Sequence, residues 1–411
     1  MKKILIIGNG GREHAIGKKI ILDNPNVHLF FASGNGGTAQ IGINITYKNS
    51  DDLVIFATEN QIDITIVGSE NLLMQGIVDA FQKNNLPILG PHQQAALLEG
   101  SKAFAKDFMQ KYGVKTAHYQ SFTAIEKALA YLENQKFPLV IKASGLAEGK
   151  GVIIAQNKAE ATETIQNLMI HNQFGTAGNE VVIEEFLQGF EVSVLSFFNQ
   201  KNIYPFVSAK DHKKIGEGET GLNTGGMGVI APNPFYTETH QQLFEQHILQ
   251  PTLNGLQAEN LKFSGVIFFG LMITNDEVYL LEYNLRMGDP ETQALLPLLN
   301  SNFLTLVEDC INQKELVFDW KNEHSCCVVL ASGGYPLAYE KGFEITGLET
   351  LETPVFFAGI DTDLKTSGGR VLNVVATAKT LAEARKKAYT ALEKINFKNK
   401  IFRTDIGEIY I

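Results

Sequence analysis

The first hundred residues alternate short apolar runs with longer stretches that have a helical period. Residues 4–7, 62–67 and 87–90 are apolar runs of strand length, and an apolar helical stretch follows the first of them to about Leu22. Strands that alternate with helices pair in parallel, and helices cover both faces of the sheet. The pattern therefore predicts an α/β domain with a parallel sheet over residues 1–100.

Alternating apolar and polar positions dominate the middle of the chain. They predict strands at residues 138–142, 152–155, 181–187, 191–198, 265–273 and 278–282. Helical periods predict helices at residues 123–135, 237–255 and 292–311, and Thr123 with Glu126 is the pattern of a capping box for the first. The first two strands enclose a Gly-rich segment, so they predict a hairpin and not the strand-to-helix turn of a Walker loop.

A polar, Gly-rich stretch at residues 208–231 shows neither the apolar period of a helix nor the alternation of a strand. Loops of that length inside a compact domain are usually functional or disordered. The Thr-Gly-Gly-Met-Gly segment within it favours an ordered backbone nest for an anion. His212 in this stretch is a candidate base, but a histidine in a charged loop is more often solvated.

The last part of the chain predicts a small α+β domain over residues 326–411. Residues 326–330 and 371–376 predict strands, and Thr380 with Glu383 predicts the capped start of a helix with one apolar face. A mixed unit of this kind differs from the parallel-sheet pattern at the start of the chain.

The overall composition is that of a globular protein, with 44% hydrophobic and 19% charged residues. A chain of 411 residues is too long for one core, so two to four domains are expected. The changes of pattern along the chain place them at residues 1–100, 101–325 and 326–411. The formal net charge of -10 argues against nucleic acid as the main partner.

Cysteines and apolar segments indicate the setting in which the protein works. The 3 cysteines do not form a disulfide or zinc pattern, and Cys326 and Cys327 are adjacent within an apolar run. The apolar run after Lys2 and Lys3 is shorter than a signal-peptide core, and no stretch reaches the length of a membrane span. We expect a cytoplasmic monomer that acts on small molecules.

Candidate chemistry is concentrated at the end of a predicted strand, from Glu282 onwards. Glu282, Asn284 and Arg286 are two positions apart, so on a strand their side chains share one face. One or two carboxylate or carboxamide side chains usually hold Mg²⁺ together with substrate phosphates, and a guanidinium beside them can hold a phosphoryl or carboxylate group. The alternative is a strand with a solvated polar face.

The predicted hairpin carries three glycines and two lysines within a short span. Such a flap can fold over a triphosphate, with Lys142 at its base as a point charge for the phosphates. A merely structural hairpin is the alternative. The strand at residues 181–187 turns polar at its end and can present backbone groups to an adenine edge, with Glu191 beyond it for ribose hydroxyls.

A Gly-rich turn joins the first strand to the first helix. Amide groups at a helix N-terminus suit a phosphate. The turn also occurs in dinucleotide folds and in plain strand-to-helix packing, but its Gly-x-Gly-Gly spacing, followed by Arg12 and Glu13, fits a mononucleotide-like ligand better than a dinucleotide. Glu70 follows another strand and can accept hydrogen bonds from sugar hydroxyls or serve as a helix N-terminal carboxylate.

Five motifs, together and in order, resemble the phosphoribosylamine–glycine ligase family of ATP-grasp enzymes over essentially the whole chain. They are Gly-Asn-Gly-Gly-Arg-Glu-His from residue 8, Lys142-x-x-Gly-Leu-Ala-x-Gly-Lys-Gly-Val, Asp211-His212-Lys213, Asn223-Thr224-Gly225-Gly226-Met227-Gly228 and Arg286-x-Gly-Asp-Pro-Glu-Thr-Gln293. The last motif is highly specific, whereas the first is not. The resemblance implies an N-terminal parallel-sheet pre-ATP-grasp domain, an ATP-grasp domain with a mobile flap subdomain at about residues 117–190, and a small C-terminal α+β domain.

The resemblance also implies substrates and site residues. The substrates would be ATP, glycine and 5-phosphoribosylamine, with Mg²⁺ or Mn²⁺, and the products glycinamide ribonucleotide, ADP and phosphate. The implied ATP site comprises Lys102, Lys142, Gly149, Lys150, Gly151, Glu184, Glu185, Phe186, Leu187 and Glu191. The implied substrate site comprises Gly8, Asn9, Gly10, Gly11, Arg12, Glu13, Glu70, Asn223, Thr224, Gly225, Gly226 and Arg370.

Roles within these sets follow from the same resemblance. Lys102 and Lys142 would face the ATP phosphates, and the segment from Glu184 to Leu187 would face the adenine. The implied metal ligands are Glu282 and Asn284, and the implied catalytic residues are Lys142, Asp211 and Arg286. Arg286 would hold the glycine carboxylate or the departing phosphoryl group.

Two flap residues depart from the family pattern, because Ser144 and Glu148 stand where an Asp and a small residue are expected. The preceding strand, at residues 269–272, supplies no acidic residue, so we expect the metal to depend on Glu282 and Asn284. Three alternatives stay open: another ATP-grasp ligase, a nicotinamide-dependent oxidoreductase based on the first turn, and a non-catalytic nucleotide-binding module.

Overall fold

A parallel sheet forms the first part of the chain in the computed structural model, which describes residues 1–147, 150–275, 277–349 and 351–408. Its elements are β1 (Lys2–Gly8), α1 (Gly11–Asp23), β2 (Val27–Ser33), β3 (Ile43–Ile45), α2 (Ser50–Glu59), β4 (Ile64–Val67), α3 (Glu70–Met74), α4 (Ile77–Lys83), β5 (Ile88–Leu89) and α5 (Gln93–Gly100). The strands lie in the order β3-β2-β1-β4-β5, and every pair is parallel. The predicted parallel sheet is confirmed.

Successive residues of β1 pack on opposite faces of this sheet. Ile4 and Ile6 share an apolar cluster with α1, whereas Leu5 and Ile7 share another with α2 and α4. All four side chains are fully buried. Burial on both faces explains why the strand has a continuous apolar run instead of an alternating one.

Two antiparallel sheets follow in the middle of the chain. The elements are α6 (Lys102–Tyr112), β6 (Tyr119–Phe122), α7 (Ile125–Tyr131), β7 (Leu139–Ala143), β8 (Val152–Ala155), α8 (Lys158–Met169), β9 (Val181–Glu185), β10 (Phe190–Asn199), β11 (Ile203–Pro205), β12 (Lys210–Asp211), β13 (Lys214–Gly216), β14 (Thr220–Asn223), β15 (Gly228–Ala231), α9 (Glu238–Phe244), α10 (Gln250–Ala258), β16 (Ser264–Thr274), β17 (Glu277–Asn284), α11 (Glu291–Leu295) and α12 (Phe303–Ile311). The two larger sheets have the orders β6-β9-β7-β8 and β11-β10-β16-β17, and β13 pairs with β14 in a separate two-stranded sheet. The predicted hairpin is confirmed, with Lys142 of β7 opposite Val152 of β8.

A third antiparallel sheet lies at the C-terminal end. Its elements are β18 (His324–Ser332), β19 (Val355–Phe357), β20 (Arg370–Ala378), α13 (Leu381–Leu392) and β21 (Lys400–Ile401). The sheet has the order β12-β15-β18-β20-β19, and β21 also pairs with β18. The predicted cap of α13 is confirmed, because the Thr380 side chain accepts a hydrogen bond from the Glu383 amide. The strands β12 and β15 belong to this sheet although they precede the domain boundary predicted after residue 325, so the sheet contains residues from both sides of that boundary. The predicted domain limits stay predictions.

The prediction that residues 208–231 form a loop is wrong, because this stretch contains β12, β13, β14 and β15. These strands are two to four residues long, too short to show a period, and β15 is fixed by pairing with β18, distant in sequence. The solvated position predicted for His212 is also wrong. His212 is buried, and its Nδ1 lies 3.1 Å from the Gly228 carbonyl oxygen.

Helix limits differ from the predictions in two places. The capping box of Thr123 and Glu126 is wrong, because Ala124 is the N-cap of α7. The helix predicted for residues 292–311 is interrupted, and Asn302 caps its second part, α12, by accepting from the Thr305 amide. The helix predicted for residues 237–255 is confirmed as a run from α9 through a π-helical turn to α10.

The N-terminal sheet and the C-terminal sheet meet through buried hydrogen bonds. His14 of α1 accepts from the Phe357 amide through Nδ1 at 2.8 Å, and Asn35 donates to the Phe357 carbonyl at 2.9 Å. Burial lowers the pKa of His14 to about 3, with a further contribution from the nearby Lys18. The interface therefore holds His14 as a neutral acceptor. None of the helices in the described ranges is long and apolar enough to cross a membrane.

We expect this interface to weaken in mild acid. The pKa of His14 is about 3 in the folded chain and 6.5 as the unperturbed value, so its stabilisation is complete above pH 6.5 and is lost as the pH falls towards 3. At pH 5 the loss amounts to about 2 kcal/mol. Denaturant unfolding should show a smaller decline between pH 8 and pH 5 for His14→Gln than for the unchanged chain.

The control for this experiment is His28→Gln, at an exposed position of β2. It should keep the pH dependence of the unchanged chain. An identical decline in all three proteins would show that His14 does not titrate on unfolding.

Candidate active site

A cleft of about 990 Å³ lies between the two middle sheets and also reaches the N-terminal and C-terminal parts of the chain. The predicted site residues that line it are Arg12, Glu70, Lys102, Lys142, Lys150, Gly151, Glu184, Phe186, Leu187, Glu191, Asp211, Asn223, Thr224, Gly225, Glu282, Asn284, Arg286 and Arg370. Asn9 and Gly10 line a second cavity of about 550 Å³, which Arg370 also lines. Gly149 and Glu148 lie outside the described residues.

Lys142 lies at the base of the hairpin and forms a buried ion pair with Glu184. Lys142 is opposite Val182 in the β7–β9 ladder, and Glu184 is two residues further along β9, so the two side chains share one face. Lys142 Nζ lies 2.8 Å from Glu184 Oε1. The ion pair is buried, because Lys142 is 6% and Glu184 2% exposed.

Lys106 is a third member of this group, and sequence reasoning missed it. Its Nζ lies 3.1 Å from Glu184 Oε2, and both side chains are 2% exposed. Lys102 and Lys106 are four residues apart on α6, and this helical spacing is the signal that could have found the second lysine. Burial opposes ionisation of Glu184, but Lys142 and Lys106 outweigh it and hold the pKa of Glu184 below its ordinary value.

The predicted adenine segment divides into two parts. Glu184 pairs with β6 and β7, and the Glu185 amide donates to the His118 carbonyl at 2.9 Å, so sheet pairing occupies this part of the backbone. Phe186 and Leu187 follow the end of β9 and line the cleft. An adenine contact from this segment would therefore come from Phe186 and Leu187.

Glu282 and Asn284 are near the end of β17 and face the cleft, as the two-residue spacing predicts. The intervening Tyr283 is buried, and its hydroxyl lies 2.7 Å from the Thr252 hydroxyl. Burial opposes ionisation of Glu282, but nearby lysines, foremost Lys213, outweigh it and lower its pKa. Glu282 is therefore an ionised carboxylate at neutral pH.

These residues fit a divalent cation. Glu282 offers carboxylate oxygens and Asn284 a carboxamide oxygen, the donors that Mg²⁺ prefers, and substrate phosphates usually complete such a site. Across the described ranges, no group of three or more His, Cys, Asp or Glu side chains is arranged to hold a metal ion. A site on β17 would therefore need ligands from the substrate.

Arg286 lies beyond the end of β17, so the prediction that it shares the strand is wrong. Its guanidinium nevertheless stays beside the strand. Nη2 donates to Asn284 Oδ1 at 3.3 Å and lies 3.2 Å from Glu99 Oε1, while Nε is 3.6 Å from Glu70 Oε2. Arg286 is thus held between β17, which carries the two predicted metal ligands and is called the metal strand below, and the carboxylates of Glu70 and Glu99.

Glu99 is a second residue that sequence reasoning missed. Its Oε2 accepts from the Leu285 amide at 2.6 Å, while the other oxygen contacts Arg286. Burial raises the pKa of Glu99, although Arg286 acts in the opposite direction. Nothing in the sequence distinguishes this residue from an ordinary carboxylate near the end of an α-helix.

Asp211 and Glu291 form a pair of carboxyl groups on the floor of the cleft. Burial raises the pKa of Asp211 well above its ordinary value, and the Glu291 carboxylate adds to this effect. Glu291 accepts from the Ser193 hydroxyl at 3.2 Å. Within the described residues, Asp211 Oδ1 is buried without a hydrogen-bond partner. Asp211 therefore favours its protonated form more than an exposed carboxyl group does.

The N-terminal turn already binds carboxylates of this chain. The Gly10 amide donates to Glu13 Oε2 at 2.7 Å, and the Arg12 amide donates to Asp289 Oδ2 at 3.1 Å. Gly8 has a φ of +140°, and a Cβ there would lie 2.5 Å from the Glu13 carboxyl carbon, so a larger residue is excluded. A phosphate at the Gly10 and Arg12 amides would have to displace these carboxylates.

The Asn223–Gly226 segment is ordered by hydroxyl and guanidinium groups. The Gly225 amide donates to the Tyr335 hydroxyl at 3.0 Å, and the Gly226 amide donates to Thr224 Oγ1 at 3.0 Å. Arg370 donates to the Gly225 carbonyl at 2.6 Å and lies 3.3 Å from Asp289 Oδ1. In the segment predicted to form an anion nest, the Gly225 and Gly226 amides therefore already donate hydrogen bonds to groups of the protein.

Two antiparallel sheets around a cleft of lysines and carboxylates, with a Gly-rich hairpin on its wall, define an ATP-grasp protein. Family models of phosphoribosylglycinamide synthetase match the chain in three consecutive parts: the N domain at residues 2–99, the ATP-grasp (A) domain at 100–292 and the C domain at 325–409. The chain belongs to the phosphoribosylglycinamide synthetase family.

Relatives and solved structures agree with this assignment. The phosphoribosylamine–glycine ligase of Fusobacterium nucleatum is 56% identical over 421 residues, covering 100% of this chain and 99% of that protein. That of Clostridium acetobutylicum is 49% identical over 413 residues, with 99% of each covered. The crystal structure of the Thermotoga maritima ligase has a TM-score of 0.87 at 35% identity, covering 98% of this chain and 100% of that one.

A more distant likeness concerns the fold alone. The biotin carboxylase domain of the Hydrogenobacter thermophilus 2-oxoglutarate carboxylase, solved with MgADP, has a TM-score of 0.75 at 15% identity. The alignment covers 97% of this chain and 91% of that one.

We expect Glu282→Ala to remove a metal ligand and to reduce ATP-dependent turnover by on the order of a hundredfold or more. Direct titration with Mn²⁺ in the presence of ADP should show weaker metal binding. The matched control is Glu277→Ala, on the same strand but exposed. Turnover of Glu282→Ala near that of the unchanged chain, at ordinary Mg²⁺, would show that the metal lies elsewhere.

Proposed function

We propose that this chain ligates glycine to 5-phosphoribosylamine with ATP, giving glycinamide ribonucleotide, ADP and phosphate, the second step of purine biosynthesis. The observation that carries this proposal is the full-length match to relatives named phosphoribosylamine–glycine ligase, at 56% identity in Fusobacterium nucleatum. The cleft supplies groups of the chemical types that this reaction needs.

ATP is proposed to bind between the hairpin and β17. Lys102 and Lys142 place ammonium groups in the cleft for the phosphates, and Lys150 and Gly151 of the hairpin line its wall. Phe186 and Leu187 are proposed to face the adenine, and Glu191 the ribose. Glu191 Oε2 lies 2.6 Å from Lys213 Nζ, so the Glu191 carboxylate would accept hydrogen bonds from the ribose hydroxyls while it stays paired with Lys213.

Glycine is proposed to react in two steps. A carboxylate oxygen of glycine attacks the γ-phosphorus, and the bond to ADP breaks, which gives glycyl phosphate. The amine of phosphoribosylamine then attacks the acyl carbon, the bond to phosphate breaks, and the amine loses a proton. Mg²⁺ or Mn²⁺ held by Glu282 and Asn284 would balance the negative charge of the phosphates.

The side chains around β17 are proposed to position the reactants. Arg286 would hold the glycine carboxylate or the departing phosphoryl group, because its guanidinium is fixed by Glu99 and Asn284 at the metal strand. Asp211 would exchange a proton with the attacking amine, because burial and the Glu291 carboxylate raise its pKa above that of an exposed carboxylate. Charge stabilisation and positioning then provide the catalysis.

We place phosphoribosylamine where the N-terminal and C-terminal parts meet. Asn9, Gly10 and Arg370 line the second cavity there, and Asp289 and Arg370 line both cavities. The three cysteines are buried and unpaired, which supports a reducing, cytoplasmic setting. We further propose that the enzyme acts as a monomer on small molecules and not on nucleic acid.

The function is tested by measuring ADP release with each substrate omitted or replaced in turn. ADP should form with ATP, glycine and phosphoribosylamine together, and glycinamide ribonucleotide should form in equal amount. Alanine in place of glycine and ribose 5-phosphate, which lacks the amine, in place of phosphoribosylamine are the controls. Formation of ADP with a different carboxylate or amine, but not with this pair, would assign the chain to another ATP-grasp ligase.

The two-step route is tested with glycine labelled with ¹⁸O in both carboxylate oxygens. One label should appear in inorganic phosphate and one should stay in the amide of the product. A reaction without phosphoribosylamine measures any exchange that does not depend on product formation. If the label that leaves the glycyl group appeared in water and not in inorganic phosphate, glycyl phosphate would not be an intermediate.

A further inference from the structure

Lys106 is a buried lysine at the wall of the cleft, beside the proposed phosphate site. It is 2% exposed, and its Nζ contacts Glu184 Oε2 at 3.1 Å and donates to Thr116 Oγ1 at 2.6 Å. The Thr116 hydroxyl in turn donates to the Leu280 carbonyl of β17 at 2.6 Å. Lys106 of α6 therefore contacts the sheet that contains the hairpin, β6-β9-β7-β8, directly through Glu184. It contacts the metal strand, β17, indirectly through Thr116.

Glu184 is the shared partner of two lysines. One of its oxygens contacts Lys142 at 2.8 Å and the other contacts Lys106 at 3.1 Å. Both residues line the cleft, but Lys106 has a second close partner in Thr116 at 2.6 Å, whereas the second contact of Lys142, with the Leu281 carbonyl oxygen, is 3.5 Å long. Lys106 is thus held by two close partners, whereas Lys142 has, among the described residues, only Glu184 as a close partner.

Binding of a triphosphate changes the balance of charge around Glu184. Phosphate oxygens attract Lys142 into the cleft and weaken its contact with Glu184. A buried carboxylate that loses its partner is strongly destabilising. The cost of moving Lys142 is therefore small only if a second ammonium group stays on Glu184.

We propose that Lys106 is a positioning residue that stays paired with Glu184, so that Lys142 can turn to the phosphates of ATP. This inference rests on the proposed function in one respect, the placement of the ATP phosphates at Lys142. In this role Lys106 acts through Glu184 and not through the phosphates. It acts by holding the charge of Glu184, and its bond to Thr116 fixes it against the metal strand.

The ammonium form of Lys106 is required for this role. Burial lowers the pKa of Lys106 to about 8, although Glu184 acts in the opposite direction. The other groups that face it are Lys142, Glu282 and the ring of Tyr119 at 5.8 Å. As the pH rises through about 8, Lys106 loses its proton and the affinity for ATP should fall.

The test compares Lys106→Met, Lys106→Arg, Glu184→Gln and the double variant Lys106→Met with Glu184→Gln. Binding of a non-hydrolysable ATP analogue with Mg²⁺ is measured by calorimetry, and KM and kcat are measured for each substrate. Lys106→Met should weaken analogue binding and raise KM for ATP about tenfold or more, with KM for glycine unchanged. Lys106→Arg should keep most of the affinity and lose the decline above pH 8.

The double variant separates charge compensation from packing. Removal of the Glu184 charge should make Lys106→Met less harmful, so the double variant should bind the analogue better than Lys106→Met alone. Lys19→Met is the matched control, because Lys19 is a buried lysine paired with Asp23 at 2.8 Å in α1, outside the cleft. It should lower stability and leave analogue affinity unchanged.

Three results would overturn the proposal. They are unchanged analogue affinity in Lys106→Met, losses in the double variant that simply add, and a pH profile of Lys106→Arg identical to that of the unchanged chain. The last result decides the matter if Lys106→Met does not fold. Analogue binding needs neither glycine nor phosphoribosylamine, so failure of the ligase activity would leave this test valid.

Discussion

Buried positive charge is the constraint on which the cleft depends. Lys102, Lys106 and Lys142 lie within one enclosed region, and ammonium groups in such a place require carboxylate partners. Glu184 and Glu282 supply those charges from two different sheets. Ion pairs through Glu184 hold the hairpin base and α6 together, and hydrogen bonds to the Leu280 and Leu281 carbonyls connect them to β17.

A second set of charges joins the three parts of the chain at the same cleft. Asp289 accepts from the Arg12 amide and lies 3.3 Å from Arg370, so it contacts the N-terminal and the C-terminal parts. Arg286 extends the connection to Glu99. The specific motif from Arg286 to Gln293 thus combines chemistry with assembly, which explains why so many charged residues are concentrated in so short a segment.

The sequence predicted those parts of the fold whose pattern is local. The parallel sheet, the hairpin at Lys142 and the paired strands before Glu282 each have an apolar period or a turn signal of their own. The strands within residues 208–231 have none, because they are two to four residues long and β15 is fixed by pairing with β18. For the same reason His212 was expected to be solvated, whereas the neighbouring sheet buries it.

For the candidate site, the sequence by itself determined which chemical groups are present and which of them share a strand face, as for Glu282 and Asn284. The family motifs were also readable from residue order alone. Only the tertiary structure determined which charged groups are neighbours. Glu99 forms an ion pair with Arg286, Lys106 forms one with Glu184, and the Asp211 carboxyl group lies near the Glu291 carboxylate. These contacts join residues far apart along the chain. Their strength depends on burial and on the distance between charges, neither of which is encoded in local spacing.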